Sequence, residues 1–474
     1  MQRTEARRLL ILALFLLSGV SGLVYQIVWT RMLVLVFGNT ILATSTVLSA
    51  FMGGLAAGSY FFGRTIDRRP RPLVKLYALL EAGIGLYALI FPLLLGAVTP
   101  LYVGLYGLLE GNLSVLNLAR FAVCFALISV PTFLMGGTLP VLIKRFAGDE
   151  HSLGRHTGYL YGLNTVGAVV GTLACGYFLL KAVGLLGTTW LAVAINLGVA
   201  AVAWLVAGSE PGPGEGVPTA DSSPSSIGAH YRPVSSTTRQ MVLLAIGISG
   251  FCALAYEVFW TRMLNLFLNN NIYSFTAILA TFLVGIAIGS LIYSRFLSRV
   301  RDQVSMFVVL EIGIGLFSYA TPFVFNLLHG SLFNRADEAL NLAKTSVIMI
   351  GPTILMGVVV PLAVQICQRG VRQEGTSVGT VYAVNTVGAI LGAFAAGFVL
   401  LPYLGLHMGV VVVASLNIAA GFLPLIAQST RRLRPVGIGV LVAGVATLLI
   451  LAPADFFRGL FEKSHPTADI LHYK

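Results

Sequence analysis

Three glutamates, Glu81, Glu257 and Glu311, stand inside apolar stretches long enough to cross a bilayer. An ionisable group at that depth costs about 2.5 to 3.5 kcal/mol on insertion scales, so each needs a partner or a task. Glu81 and Glu311 lie about 12 Å into their helices at ~1.5 Å of rise per residue, beside Gly83, Gly85, Gly313 and Gly315. Near a central pathway, carboxylates so placed bind a cationic solute or take up a proton. Alternatively they are structural acids bonded to neighbouring backbone or to loop arginines such as Arg64 and Arg295. Glu257 sits deeper, and its counterpart is Gln26. Charge in one half only suits a single asymmetric site, and a protonated, hydrogen-bonded structural glutamate suits it equally.

Uncharged polar groups join the list. Asn164 and Asn385, one turn beyond Tyr161 and Tyr382, are costly to leave unpaired in hydrocarbon and serve either as interhelical glue or as ligand contacts. The candidate solute contacts are therefore Tyr25, Gln26, Glu81, Asn164, Tyr256, Glu257, Glu311 and Asn385. Candidates for an interface or gate are Arg31, Arg262, Asp67, Arg68, Pro131 and Pro352. Arg31 and Arg262 fall near the outer ends of their spans beside Trp29 and Trp260, where interfacial anchoring or recognition of an anionic group accounts for them. Pro131, Pro140, Pro352 and Pro361 each free a carbonyl inside spans four and ten, as a moving gate or a bent packing element requires. No nucleophile, base and orienting group occur together, so no residue is assigned to catalysis. The seven histidines and four separate cysteines, Cys124, Cys175, Cys252 and Cys367, show no metal-ligand spacing, and no cofactor is implied.

The elements that must position these residues come in two copies. Ser18 to Met32 returns as Ser249 to Met263, with Trp29-Thr30-Arg31-Met32 repeated unchanged as Trp260-Thr261-Arg262-Met263. Gly54, Gly58 and Arg64 return as Gly285, Gly289 and Arg295, and Leu80-Glu81 as Leu310-Glu311. Pro131-Thr132 and Pro140 return as Pro352-Thr353 and Pro361, and Asn164-Thr165-Val166-Gly167-Ala168 as Asn385-Thr386-Val387-Gly388-Ala389. Matches over nearly the whole chain indicate a duplication. Glycines four apart, such as Gly167 with Gly171 and Gly388 with Gly392, share a helix face and predict close helix packing.

Composition bounds the class. With 57% hydrophobic and 10% charged residues, the 474-residue chain has too much apolar surface for a water-soluble globule. Apolar segments of ~20 residues match the thickness of a hydrocarbon core. Six spans are expected at roughly 9–35, 40–63, 73–95, 118–143, 157–180 and 185–207, with 96–117 lying along the outer interface. Six more follow at roughly 240–268, 272–294, 304–328, 343–367, 378–401 and 405–427. One unduplicated segment near 436–451 makes about 13 spans. The fold class is thus an all-α integral membrane protein of two parallel six-helix repeats plus one extra C-terminal helix. Its domains are 1–207, a Pro/Ser/Gly-rich cytoplasmic linker at 208–239, a second bundle at 240–427, and a helix with a polar tail at 428–474. The formal net charge of +12 comes mostly from Lys and Arg in the loops on one side. This positive-inside bias puts the N-terminus in the cytoplasm of a multi-pass cell-membrane protein, expected in a bacterial inner membrane, and needs no nucleic-acid partner. The partners expected are the lipid bilayer and a small solute.

Two sets of six spans around a long central loop resemble the major facilitator superfamily. Gly63-Arg64-Thr65-Ile66-Asp67-Arg68-Arg69-Pro70-Arg71 is similar to that family's Gly-x-x-x-Asp-Arg-x-Gly-Arg loop, with Pro70 in place of a glycine. The Tyr-x-x-x-Trp-Thr-Arg, Leu-Glu-x-Gly-Ile-Gly and Asn-Thr-Val-Gly-Ala pairs resemble the membrane portion of spermidine synthase-like fusion proteins over nearly the whole chain. That resemblance implies a soluble aminopropyltransferase-like domain after the last span, whose first strand Ile470 to Lys474 resembles. No glycine-rich nucleotide loop occurs in these residues, so the enzymatic activity does not carry over. Two readings stay open: a facilitator-like transporter of a small solute, cationic and polyamine-like, or a membrane scaffold for a synthase-like soluble domain or partner protein.

Overall fold

In hydrocarbon a backbone N–H or C=O has only other backbone to bond, so a chain this apolar is driven to helix. The computed structural model describes residues 2–37, 41–68, 72–108, 113–146, 152–207, 234–265, 272–332, 338–368 and 373–428, and the regular structure there is helical. The helices are α1 (Gln2–Phe37), α2 (Ile41–Arg68), α3 (Leu73–Leu108), α4 (Leu113–Phe146), α5 (Leu153–Leu173) and α6 (Leu180–Ala207). They are followed by α7 (Ser236–Asn265), α8 (Ile272–Arg295), α9 (Gln303–Leu332), α10 (Glu338–Cys367), α11 (Glu374–Ala395) and α12 (Leu401–Gln428). Most of the expected linker, and the expected C-terminal helix and tail, lie outside the described residues.

Nine helical stretches among the described residues are long and apolar enough to span a membrane. Two of them, Leu153–Ala207 and Glu374–Leu425, run to 55 and 52 residues because α5 passes into α6, and α11 into α12, through π-helical turns at Ala174–Leu179 and Ala396–Leu400. Each is broken once, at Gly184 (φ 67°) and Gly405 (φ 73°), in a left-handed conformation that a Cβ would oppose. Either stretch is thus long enough for two crossings of ~20 residues. The expected interfacial segment 96–117 is instead the end of α3 and the start of α4. A helix that outruns the apolar layer keeps its own hydrogen bonds, so falling hydropathy there does not end it.

The helices pair in matching sets: α1 with α5 and α7 with α11, α2 with α4 and α8 with α10, α3 with α6 and α9 with α12. Four pairs join the first six helices to the last six: α2–α11, α5–α8, α5–α10 and α4–α11. One buried apolar cluster runs through both sets, from Phe15 and Tyr77 to Phe307 and Val413. Two of the four prolines of α4 and α10, Pro131 and Pro361, release a carbonyl that a side chain then meets. The Tyr87 hydroxyl donates to Leu127 O (2.8 Å), four residues before Pro131, and the Ser290 hydroxyl donates to Gly357 O (2.8 Å), four before Pro361. Asp302 opens α9. Its Oδ1 accepts the Ser305 N–H at 3.0 Å, and hydrogen bonds from the Ser305 side chain and backbone hold its carboxyl below the usual carboxylate range.

Candidate functional site

Glu81 and Glu311 are both fully buried. Each is held by an asparagine that the sequence reading passed over. On α6, Asn196 Nδ2 donates to Glu81 Oε2 (2.7 Å) and Glu81 O (2.9 Å), and on α12, Asn417 Nδ2 donates to Glu311 Oε2 (2.6 Å) and Glu311 O (2.9 Å). From α1, Ser18 Oγ donates to Glu81 Oε1 (2.6 Å) and Ser21 Oγ to Asn196 Oδ1 (2.9 Å). The acids therefore sit at the α1–α3–α6 and α7–α9–α12 junctions, and neither α3 nor α9 belongs to the pairs that join the two sets. The loop arginines proposed as alternative partners are engaged elsewhere: Arg64 lies over the Tyr60 ring at 4.1 Å and Arg295 over Phe296 at 5.9 Å. Asn196 and Asn417 follow the same offset as Asn164 and Asn385, a repeat of polar residues in apolar spans that would have found them.

A second polar constellation lies where the odd-numbered helices begin. Asp67, in the last turn of α2, accepts the N–H groups of Gly375 (3.2 Å) and Thr376 (2.5 Å) in the first turn of α11 and pairs with Lys144 of α4. Those N–H groups have no intrahelical acceptor and carry the positive end of the helix dipole, so a carboxylate suits them. Gln365 stands on α10 as Lys144 stands on α4, four residues beyond Pro361 and Pro140. Its Oε1 accepts the Gly154 N–H of α5 at 2.7 Å. Both α5 and α11 are thus capped by a side chain from the other set of helices, one cap charged and the other neutral. Between them Tyr161 and Tyr382 meet edge to face, 6.2 Å apart.

Gln365→Ala leaves the Gly154 N–H without that acceptor, a loss of about 1 kcal/mol for a neutral cap, or roughly fivefold in a local opening equilibrium. Hydrogen exchange should speed up by that factor in the first turn of α5 and stay unchanged in the first turn of α11. Equal protection before and after would show that the cap contributes nothing.

The remaining residues singled out from sequence fall on several helices. Tyr25 and Tyr256 are fully buried and stack on Trp29 (4.9 Å) and Trp260 (5.6 Å). Both tryptophans are buried, and Trp260 Nε1 donates to Thr321 Oγ1 (3.0 Å), so they are core residues and not the interfacial anchors expected. Arg31, Arg262 and Arg68 are exposed, and Pro131 and Pro352 are buried within unbroken helices. Asn164 and Asn385 stand at the α1–α5 and α7–α11 crossings, where their carbonyls meet Gly19 and Gly250. Gln26 and Glu257 are half-buried on α1 and α7.

No family model matches the chain. By sequence it is similar to polyamine aminopropyltransferase 2 of Streptomyces coelicolor, 26% identical over 237 residues that cover 48% of this chain and 41% of the relative. The match thus spans less than half the length of that relative. In fold it is similar to a bacterial homologue of the iron transporter ferroportin in the outward-facing state (TM-score 0.58, 17% identity, covering 90% of this chain and 100% of that one). A major facilitator superfamily transporter in the outward conformation gives a TM-score of 0.57 at 14% identity, covering 89% and 98%. At such identities the likeness establishes the fold alone, a multi-pass helical membrane bundle like that of these two transporters.

Proposed function

We propose that the chain is a facilitator-type transporter of a small solute, with 1–207 and 240–427 as parallel six-helix halves that rock about the α2–α11 and α5–α8 contacts. The observation that carries this reading is the pair of cross-half caps on α5 and α11. Polar contacts gathered at one end can break and re-form as the halves rock. With the N-terminus cytoplasmic, the capped end is the cytoplasmic one and the halves are closed towards the cytoplasm.

For the solute we take a small polyamine-like cation. Glu257 supports this: it is half-buried in the middle of a membrane helix and makes no hydrogen bond or ion pair to another described residue. Uptake of labelled putrescine and spermidine into proteoliposomes, against an organic anion as control, tests the reading. Glu257→Gln gives the second half the residue that the first half carries at Gln26, and it should lower cation uptake about tenfold, the loss of one charge-assisted contact. Uptake unchanged by the substitution removes Glu257 from the solute path, and no uptake of either cation removes the solute class.

The similarity to aminopropyltransferases favours a second reading, in which the bundle anchors or feeds a synthase-like soluble domain. Co-purification of a soluble partner through residues 431–474, without uptake, would select it.

A further inference from the structure

The two acid sites began as copies and have diverged, Ser21 to Cys252 on the facing helix and Tyr77, beside Glu81, to Phe307. In the first half every side-chain oxygen of the Glu81–Asn196 pair has a donor: Ser18 serves Glu81 Oε1, Asn196 serves Oε2, and Ser21 serves Asn196 Oδ1. In the second half Cys252 stands where Ser21 stands, and its thiol turns to Val413 O, 3.5 Å away. Both amide hydrogens of Asn417 are taken by Glu311. Glu311 Oε1 and Asn417 Oδ1, on residues that are 0% exposed, are left with no hydrogen bond among the described residues. Ser249 faces the Glu311 carboxyl within reach of a hydrogen bond, and Tyr256, one turn beyond Cys252, is also near.

The duplication fixes where these oxygens aim. In the first half the equivalent pair faces α1 between Ser18 and Ser21, so in the second half it faces α7 between Ser249 and Cys252. Among the described residues nothing cationic acts on Glu311 there. The described titratable groups near Glu311 are Cys252 and Tyr256 of α7. From α12 the group that meets it is the uncharged Asn417, and no described charge on α10, the other neighbour of α9, acts on it. A water molecule would supply donors but leave the carboxylate charge uncompensated in a low-dielectric interior, where that is costly. A small positive ion supplies both. The ligands are hard oxygens, from a carboxylate, an amide carbonyl and flanking hydroxyls, which favours Na⁺ or H⁺ over a thiophilic metal.

We propose that Glu311 and Asn417, with Ser249 and Tyr256 beside them, form a binding site for one small monovalent cation, Na⁺ or H⁺, that the Glu81 site of the first half does not share. The inference stands apart from the transport reading, because binding is read on the purified protein without any solute.

The test is thermal unfolding of the full chain in detergent, with NaCl exchanged for choline chloride at constant ionic strength, at pH 5.5, 7 and 8.5. The wild type should melt several degrees higher with cation bound, saturably, as mass action requires. Dependence on Na⁺ identifies the ion as Na⁺, and dependence on pH alone identifies it as a proton. Glu311→Gln should abolish the response, while Glu81→Gln should leave it in place. Cys252→Ser, which restores the hydroxyl of the first half and engages Asn417 Oδ1, should weaken apparent cation affinity at least tenfold in a protein that still folds. A melting temperature indifferent to both ions, or a response equal in wild type and Cys252→Ser, overturns the proposal.

Discussion

Gly388→Ala should lower the melting temperature of the purified chain by about 3 °C, by destabilising it about 3 kcal/mol, the upper end of what overpacking costs. A Cβ built on Gly388 collides with the carbonyl oxygen of Gly247 on α7, and one on Gly392, a turn later, collides with Phe251 O. The obstacles are backbone atoms, which cannot move aside as a flexible side chain can, so α7 and α11 must separate along their contact. Lipid offers no hydrophobic force to hold them, and association rests on close van der Waals packing that separation forfeits. Gly167 and Gly171 meet Leu16 O and Val20 O of α1 in the same way, so Gly167→Ala should behave alike. Gly198→Ala is the control. No atom beyond its own helix lies within 4 Å of a Cβ there, and the gain in helix propensity should leave stability unchanged or slightly raised. A melting temperature equal in Gly388→Ala and Gly198→Ala would mean that the two helices do not approach so closely.

The glycine spacing illustrates what could be read from the chain. Residues that act through their own helix face, such as Gly388 with Gly392, declare themselves by period alone, and the repeat assigned them partners of the same kind in both halves. Glu81 and Glu311 were legible as costly groups because charge in an apolar span has few explanations. Their partners were not, because Asn196 lies 115 residues from Glu81 and an uncharged amide stands out little from its apolar neighbours. Trp29 and Trp260 misled for a related reason. An indole beside an arginine near a span end has the composition of an interfacial belt, and only tertiary packing shows that it stacks inward on Tyr25 or Tyr256. The caps on α5 and α11 were the least visible, since they use backbone N–H groups that every residue but proline possesses.

Asp67→Ala should have the largest effect on conformational equilibrium. The carboxylate accepts two N–H groups of α11 and neutralises Lys144. Its loss leaves the helix terminus without those partners and a half-buried ammonium unpaired, together about 3 kcal/mol when hydrogen bonds to a charged group are involved. That is roughly a hundredfold in the ratio of closed to open states at this end. Spin labels at Arg68→Cys and Gln373→Cys, both exposed, in a background with the four buried native cysteines replaced by alanine, report the α2–α11 separation directly. In the parent the distance should be short and narrow, and in Asp67→Ala long and broad. Asp67→Asn keeps an acceptor but not the charge, and it should fall between, losing about 1.5 kcal/mol. Lys144→Ala, which leaves the cap in place, should do less still. On the proposed transport reading both states must be occupied, so uptake should fall at least tenfold in Asp67→Ala even with the solute site intact. If all three variants keep the parent distance, the charge on Asp67 is not what holds the two halves shut, and the polar caps are ornaments on an interface kept closed by its apolar contacts.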